Sequence, residues 1–240
     1  MIVFSFHWIF LSKNYKSQNI FLLISSLFFY AAWDYRFLSL ILFSSALDYF
    51  LGIAIHNQVK PKEKKSFLVI SIFANLGLLI VFKYFNFFID SLNELSIFLG
   101  IQTNIALLNI ILPVGISFYT FQTLSYTIDI YNGKIDPTKD WIKFATYVCF
   151  FPQLVAGPIE RASRILPQLS QKRFFKWDQG KDGIRKILVG FFKKVVIADS
   201  LAPMVDYTFS NYHDLSSFAL LLGLLYFTFQ IYCDFSGYSD

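Results

Sequence analysis

The sequence predicts an all-α protein, a polytopic transmembrane helix bundle that forms a single membrane domain over residues 1–240. Hydrophobic side chains make up 55% of the chain and charged side chains only 15%, whereas a soluble domain averages about 25% charged residues. The mean hydropathy is +0.51, and charge-free stretches long enough to cross a hydrocarbon core recur along the whole chain. With 7 Pro, 11 Gly and 2 Cys, the composition excludes collagen-like, disordered and disulfide-framework proteins.

Charge-poor stretches of suitable length predict the membrane helices. They are 18–33, 37–55, 66–88, 105–128, 187–205 and 215–233. The apolar stretch at residues 1–10 is too short to cross a bilayer, so we expect it to be a curtailed span or to lie partly in the interface. Two lysines interrupt 187–205, which predicts a tilted or buried helix.

The segment 141–158 differs from the other apolar stretches because Pro152 and the pair Gly157-Pro158 interrupt it. If the preceding span returns the chain to the cytoplasm, both ends of this segment lie inside. Such a segment is re-entrant or in the membrane plane, and protein or a water-filled cavity must then cover its backbone.

The net charge of +5 is unevenly distributed. Residues 160–194 hold ten Lys and Arg against three acidic residues, a local charge of +7, so the remainder of the chain sums to −2. A basic excess near span ends marks the cytoplasmic side. The sequence therefore predicts a multi-pass protein of the cell (plasma or inner) membrane, with 56–65 and 160–194 cytoplasmic and the N-terminus outside.

A line of polar residues runs through the uncharged segment between Leu95 and Ile128 and ends just after it. It comprises Tyr119, Gln122, Tyr126 and Asp129, spaced so that they share one face of a helix. A polar stripe cannot face lipid, so it should face the bundle interior or a wet cavity. We favour a substrate path. In the alternative, Asp129 ends the helix at the interface and the tyrosines join helices.

Further polar residues stand in apolar surroundings. Gln230 lies in the last span, and Asp234, Ser236 and Tyr238 follow in a segment rich in hydrogen-bonding groups. This segment predicts a second polar wall of the substrate path. Asp48 lies within the 37–55 span, where we expect a structural pairing role. No metal site is predicted.

Four stretches in this order resemble the membrane-bound O-acyltransferase (MBOAT) family. They are Pro113–Asp129, Phe151–Arg161, Val189–Asp199 and Tyr232–Asp240. The resemblance is to the bacterial branch that includes alginate O-acetyltransferases and the teichoic-acid D-alanyl transfer protein. It extends more weakly over almost the whole chain.

The resemblance implies an MBOAT-like bundle around a funnel, with a catalytic His at its neck. It implies an O-acyltransferase that moves an acetyl or similar short acyl group to hydroxyls of a cell-envelope or exported polysaccharide. The donor would be acetyl-CoA or an acyl-carrier thioester, used as a substrate, with no bound cofactor. A neutral imidazole suits the task of removing the hydroxyl proton.

The family's catalytic His lies downstream of the stretch that matches Tyr232–Asp240, so we expect the fold to be incomplete at the C-terminus. His7, His56 and His213 do not match the family pattern. No catalytic residue is therefore assigned, and we expect the 240-residue chain alone to lack transferase activity.

Arg161 and Arg164 follow the Gly157-Pro158 break and are candidates for the donor side. Arginine forks suit phosphates, so these residues would receive a nucleotide thioester or an acidic acyl carrier protein. The alternative is that they obey the positive-inside bias and contact anionic lipid. The expected partners are the lipid bilayer, the donor or carrier protein and an extracytoplasmic acyl-transfer protein, and no nucleic acid.

Two other functions remain open at this stage. In a transport or channel module, the polar stripe would line a permeation path. In a non-catalytic scaffold, the chain would recruit a partner acyltransferase. The four ordered stretches favour the acyltransferase over the transporter.

Overall fold

The computed structural model describes residues 2–10, 14–100, 105–107, 111–154 and 157–240, and within these ranges all regular structure is helical. A 3₁₀ turn, Tyr35–Phe37, joins α2 to α3, and π-helical segments Ile80–Tyr84 and Phe192–Ala198 follow α4 and α10. The α-helices are α1 (Ile2–Phe10), α2 (Tyr15–Asp34), α3 (Leu38–Asn57), α4 (Pro61–Leu79), α5 (Phe85–Phe98), α6 (Ile116–Tyr131), α7 (Trp141–Cys149), α8 (Phe151–Leu154), α9 (Ala162–Leu169), α10 (Trp177–Phe191), α11 (Asp199–Ser210) and α12 (Ser217–Ser239).

Three helical stretches in the described part of the chain are long and apolar enough to cross a membrane. They are Tyr15–Asn57, Pro61–Phe98 and Ser217–Ser239. The predicted spans 18–33, 37–55 and 66–88 lie within the first two, and 215–233 overlaps the third except for its first two residues. The predicted span 105–128 falls partly outside the described residues and continues as α6, whereas 187–205 runs through α10, the π segment and α11.

Short polar residues set the helix boundaries. The side chain of Asn14 accepts a hydrogen bond from the backbone N–H of Lys16 at 3.0 Å and so caps α2, satisfying one of the free donors at a helix start. Asp34 accepts from the backbone N–H of Arg36 at 3.0 Å, which closes the turn between α2 and α3. Pro61 occupies the first turn of α4, where its missing N–H costs nothing.

The chain divides into two compact units. The first unit comprises residues 1–155 and 159–173. Its core forms where α6 packs against α3 and α4, with α7 between α2 and α3. The largest wholly buried side chains there include Tyr119, Tyr126, Tyr147, Phe144, Ile41 and Ile55.

The second unit comprises residues 156–158 and 174–240. In it, α12 packs against α11 and the π segment, and α10 contacts α12. Large apolar side chains of α12 point outward, Phe218 being 75% exposed and Phe229 58% exposed. An apolar outer surface of this kind suits a lipid environment. The single-domain organisation stays a prediction.

Candidate functional site

The polar face of α6 lies inside the first unit. Tyr119 and Tyr126 are wholly buried, Gln122 is 4% exposed and Asp129 is 8% exposed. The face begins after Gly115, whose φ of +75° a glycine adopts without steric cost. An added Cβ at Gly115 would overlap the backbone carbonyl of Leu154, so the start of α6 lies directly against α8.

Reciprocal hydrogen bonds join α6 to α7. The Gln122 side-chain amide donates to the backbone carbonyl of Tyr147 at 2.8 Å, and the Tyr147 hydroxyl lies 3.4 Å from the carbonyl of Gln122. The same hydroxyl donates to the carbonyl of Glu160 at 3.0 Å. Gln122 and Tyr147 therefore fix α7 and the chain before α9 relative to the polar face.

The other three residues of the face have different surroundings. The Tyr126 hydroxyl accepts from the backbone N–H of Thr138 at 3.1 Å. Asp129 lies 3.7 Å from Lys134. The buried Tyr119 hydroxyl has no hydrogen-bond partner among the residues that the structure describes, which is rare for a buried polar atom. Tyr119 thus has hydrogen-bonding capacity available to another group.

A buried polar network surrounds Asp48 in the first unit. One carboxylate oxygen accepts from the Ser71 hydroxyl at 2.6 Å, and the other accepts from the Asn75 amide at 2.7 Å. Ser71 continues to Thr127 at 3.1 Å, and Asn75 accepts from Ser44 at 3.0 Å. The network joins α3, α4 and α6, which agrees with the structural role expected for Asp48.

Two consecutive lysines form an ion-pair cluster in the second unit. Lys193 donates to the Ser236 hydroxyl at 2.9 Å and pairs with Asp240. Lys194 pairs with Asp234 at 2.5 Å and Asp199 at 2.9 Å. The cluster connects the π segment with α12, and π-helical turns are frequent at functional sites.

Sequence reasoning missed this pairing. It treated the two lysines as an interruption of an apolar stretch and assigned Asp234 and Ser236 to a wall without naming their partners. Charged residues within apolar spans usually pair with one another, so Asp234 and Asp240, which have no basic residue near them in the sequence, were the available signal.

A groove of about 630 Å³ lies beside this cluster within the second unit. Asp234 and Tyr238, both predicted site residues, line it together with Lys194. Ser236 is held by Lys193, and Gln230 has a buried side-chain oxygen without a hydrogen-bond partner. The four candidates of the last helix therefore lie within three turns, two of them in the groove.

The donor-side candidates are exposed on the first unit. Arg161 precedes α9 as its N-terminal capping residue and makes no side-chain cap bond. Arg164 lies one turn further and pairs with Glu160 at 3.3 Å. Both guanidinium groups are accessible to a ligand from solvent.

The described residues contain no group of three or more His, Cys, Asp or Glu side chains that could hold a metal ion. Cys149 and Cys233 are free and buried. His7 is buried beside Trp8, and His56 lies 3.7 Å from the exposed Asp136. Neither arrangement is that of a histidine poised over a substrate.

Comparison with known proteins gives three informative relatives. The chain is 39% identical to a probable alginate O-acetylase, AlgI, of Pseudomonas aeruginosa, over 100% of the chain and 46% of that protein. It is 34% identical to a peptidoglycan O-acetyltransferase of Helicobacter pylori, over 95% of the chain and 47% of that protein. It is 27% identical to a teichoic acid D-alanyltransferase of Bacillus subtilis, over 55% of the chain and 34% of that protein.

The chain spans about half the length of the first two relatives. No family model matches it. The relatives nevertheless confirm the resemblance that the four stretches predict, because all three are acyl-transfer proteins of the branch named from the sequence.

Proposed function

Because the chain is homologous over its full length to membrane-bound O-acyltransferases, we propose that it forms part of an enzyme that acylates hydroxyl groups of a cell-envelope or exported polysaccharide. The observation that carries the proposal is the 39% identity over 100% of the chain to a probable alginate O-acetylase. The acyl group is acetyl or of similar size, and the donor is a thioester such as acetyl-CoA or an acyl carrier.

In the proposed reaction, an acceptor hydroxyl attacks the thioester carbonyl. The oxygen–carbonyl bond forms as the carbon–sulfur bond breaks, and the hydroxyl proton passes through a general base to the departing thiolate. We assign the base to a histidine outside residues 1–240, since the chain corresponds to about half of each relative. The chain contributes walls of the substrate path and the donor-facing surface.

In each unit, one group of residues is proposed to contact a substrate. The first is the α6 face with Tyr119, whose hydroxyl has no partner. The second is the end of α12, where Lys193 and Lys194 hold Ser236 and Asp234 beside the groove. Polar groups placed in an otherwise apolar path are what orient an acceptor hydroxyl.

We propose that α7 and α8 form an element that is re-entrant or lies in the membrane plane. Both helices are short, and the break between them leaves backbone groups that need partners at membrane depth. Ser26 accepts from the backbone N–H of Phe151 at 3.2 Å, and Gln153 donates to the carbonyl of Tyr147 at 3.1 Å. These side chains supply the cover that such an element requires.

The proposed topology places 56–65 and 160–194 in the cytoplasm and the N-terminus outside. It is tested with a variant in which Cys149 and Cys233, both buried, are replaced by Ser and single cysteines are introduced. Arg36→Cys should react with a membrane-impermeant maleimide in intact cells, and Lys62→Cys only after permeabilisation. The opposite labelling would reverse the orientation.

The donor-side role of Arg161 and Arg164 is tested by charge reversal. In a chimaera that joins residues 1–240 to the remaining part of the Pseudomonas aeruginosa relative, Arg161→Glu with Arg164→Glu should lower acyl transfer and leave membrane insertion unchanged, because the positive surface for an acidic donor is removed. A double reversal at Lys62 and Lys64 is the matched control for loss of positive charge. Equal activities of the two double variants would exclude donor docking at Arg161 and Arg164.

The proposed function itself is tested with a chimaera. Residues 1–240 replace the aligned part of the Pseudomonas aeruginosa relative, in a strain that lacks that protein, and ester-bound acetate on exported alginate is measured. We expect acetate above the level of the deletion strain. A second chimaera, made with the Helicobacter pylori relative, is assayed for acetate on peptidoglycan. It tests the case in which the acceptor of this chain is not alginate.

Chimaeras that insert at the level of the parent proteins yet acylate neither polymer would refute the proposal. Purified 1–240 without the remaining part is the negative control, and we expect no acyl transfer from it.

A further inference from the structure

Arg173 is fixed at the end of the first unit by two side chains from the first turn of α2. Its Nε donates to Gln18 Oε1 at 3.1 Å, and its Nη2 donates to Asn19 Oδ1 at 2.6 Å. Asn19 is itself held, because its amide nitrogen donates to the carbonyl of Leu169 at 2.8 Å. The guanidinium therefore has a defined position beside the start of the Tyr15–Asn57 stretch.

The charge of Arg173 has no acidic partner in the part of the chain that the structure describes. Gln18 and Asn19 are both neutral, and no carboxylate forms an ion pair with Arg173. Burial lowers its pKa, yet an arginine stays charged in proteins. A guanidinium has five N–H donors, and the two bonds above leave three of them for another group.

Unused polar atoms lie next to this guanidinium. Gln18 is wholly buried, and its amide nitrogen has no hydrogen-bond partner in the described part of the chain, although its amide oxygen binds Arg173. His7 is 6% exposed, and its Nδ1 is also without a partner. Buried polar atoms without partners are costly, so a group that supplies acceptors for them would be stabilised here.

The electrostatic surroundings favour an anion. α2 is 20 residues long and has no acidic residue in its first turn, so the positive end of its dipole is uncompensated. Lys16 and Lys172 are exposed, and both lie close in sequence to residues of the site. A helical stretch that is apolar enough to cross a membrane, Tyr15–Asn57, begins here, and a bilayer around that stretch would place its phosphates at this level.

We propose that Arg173, Gln18 and the N-terminal turn of α2 form a binding site for a phosphate-type oxyanion. The planar guanidinium presents paired donors that match two oxygens of one phosphate, and the Gln18 amide supplies a further donor. The phosphate belongs to an anionic phospholipid headgroup or to a soluble phosphate, and the two sources share this chemistry. The site does not depend on the proposed acyl transfer.

The test uses delipidated 1–240 in a neutral detergent. Three ligands are titrated: dihexanoyl-phosphatidylglycerol, inorganic phosphate and zwitterionic dihexanoyl-phosphatidylcholine. The readouts are the thermal unfolding midpoint and the ³¹P signal of the ligand, the second of which needs no variant. Arg173→Gln removes the charge, and Arg185→Gln removes an exposed arginine of α10 as the matched control.

We expect saturable binding of an anionic ligand to the wild type and to Arg185→Gln. Loss of a charge-assisted fork should weaken it by at least about tenfold in Arg173→Gln. Arg173→Lys, which keeps the charge without the fork, should lie between the two. A response to phosphatidylglycerol alone assigns a lipid headgroup, and a response to inorganic phosphate assigns a soluble ligand.

Several results would overturn the site. These are the absence of saturable binding of either anion to the wild type, equal binding to Arg185→Gln and Arg173→Gln, or equal binding of the zwitterionic lipid. If Arg173→Gln does not fold, the ³¹P titration of the wild type and the Arg173→Lys comparison still decide the question.

Discussion

The close crossing of α10 and α12 in the second unit makes Gly190 intolerant of a single added methyl group. A Cβ built at Gly190 would lie 2.5 Å from the carbonyl oxygen of Gly237 and 3.4 Å from the Cβ of Asp240. Carbon–oxygen contacts below 3.0 Å are not sustained, and the obstacle is backbone. The helices must therefore separate by about 0.5 Å at this point.

The loss of stability caused by Gly190→Ala follows from overpacking. An added methylene in a packed site costs about 1–3 kcal/mol. Replacing a glycine by alanine inside a helix also stabilises the helix by about 1 kcal/mol. A control substitution of the same kind in the same helix removes this contribution from the comparison. Gly183 lies in the same helix with nothing within 4 Å of an added Cβ. The free energy needed to separate α10 from α12 locally should therefore be about 1–3 kcal/mol lower in Gly190→Ala than in Gly183→Ala.

The assay is the rate at which the buried Cys233 thiol of α12 reacts with a thiol reagent in a Cys149→Ser background. When opening is fast and reversible, this rate reports the free energy of local opening. Gly190→Ala should react about 5- to 150-fold faster than Gly183→Ala, since about 1.4 kcal/mol is tenfold. Equal rates for the two variants would refute the close-packing argument.

Three further predictions concern the first unit. Gly115→Ala should destabilise the first unit more than Gly133→Ala. Both glycines have a positive φ, but only at Gly115 would an added Cβ clash with backbone. Denaturant unfolding in mixed micelles compares the two variants, and equal unfolding midpoints would contradict the clash. Asp48→Leu should lower the free energy of unfolding by about 1–3 kcal/mol, because the hydroxyl of Ser71 and the amide of Asn75 lose their acceptor. Asp48→Asn should lower it by less in the same unfolding experiment. Identical losses of stability in the two variants would exclude a hydrogen-bonding role for Asp48. Burial and, to a lesser extent, the charge of Arg173 hold the pKa of His7 at about 4, below its ordinary 6.5, so stability should fall as the pH drops from 6.5 towards 4. In Arg173→Gln the His7 pKa, followed by NMR, should rise but stay below 6.5, and an unchanged value would show that the guanidinium does not act on the ring.

Hydropathy was sufficient to locate the three stretches of the described residues that are long and apolar enough to cross a membrane, but not their full extent. The span 66–88 lies within the continuous stretch Pro61–Phe98, because lysines in the first turn of α4 and polar residues of α5 extend a helix without adding apolar signal. Hydropathy describes transfer to lipid, and it contains no term for the hydrogen bonds that continue a helix into the interface.

The polar face of α6 could be predicted because its spacing is local, and its residues are buried together. The ion-pair cluster could not, because Lys194 and Asp234 are 40 positions apart and periodicity contains no information on such pairs. Arg173 was likewise one basic residue among ten in 160–194. Only its placement beside Gln18 and Asn19 separates it from the others.

The Asp48 network also has a consequence for synthesis. A carboxylate at the centre of an isolated helix costs about 2.5–3.5 kcal/mol on leaving the translocon, and Asn75, which satisfies Asp48, follows 27 residues later. At a synthesis rate of about 5–20 residues per second, Asn75 is added roughly 1 to 5 seconds after Asp48. We therefore expect the α3–α4 hairpin, and not α3 alone, to partition into the bilayer.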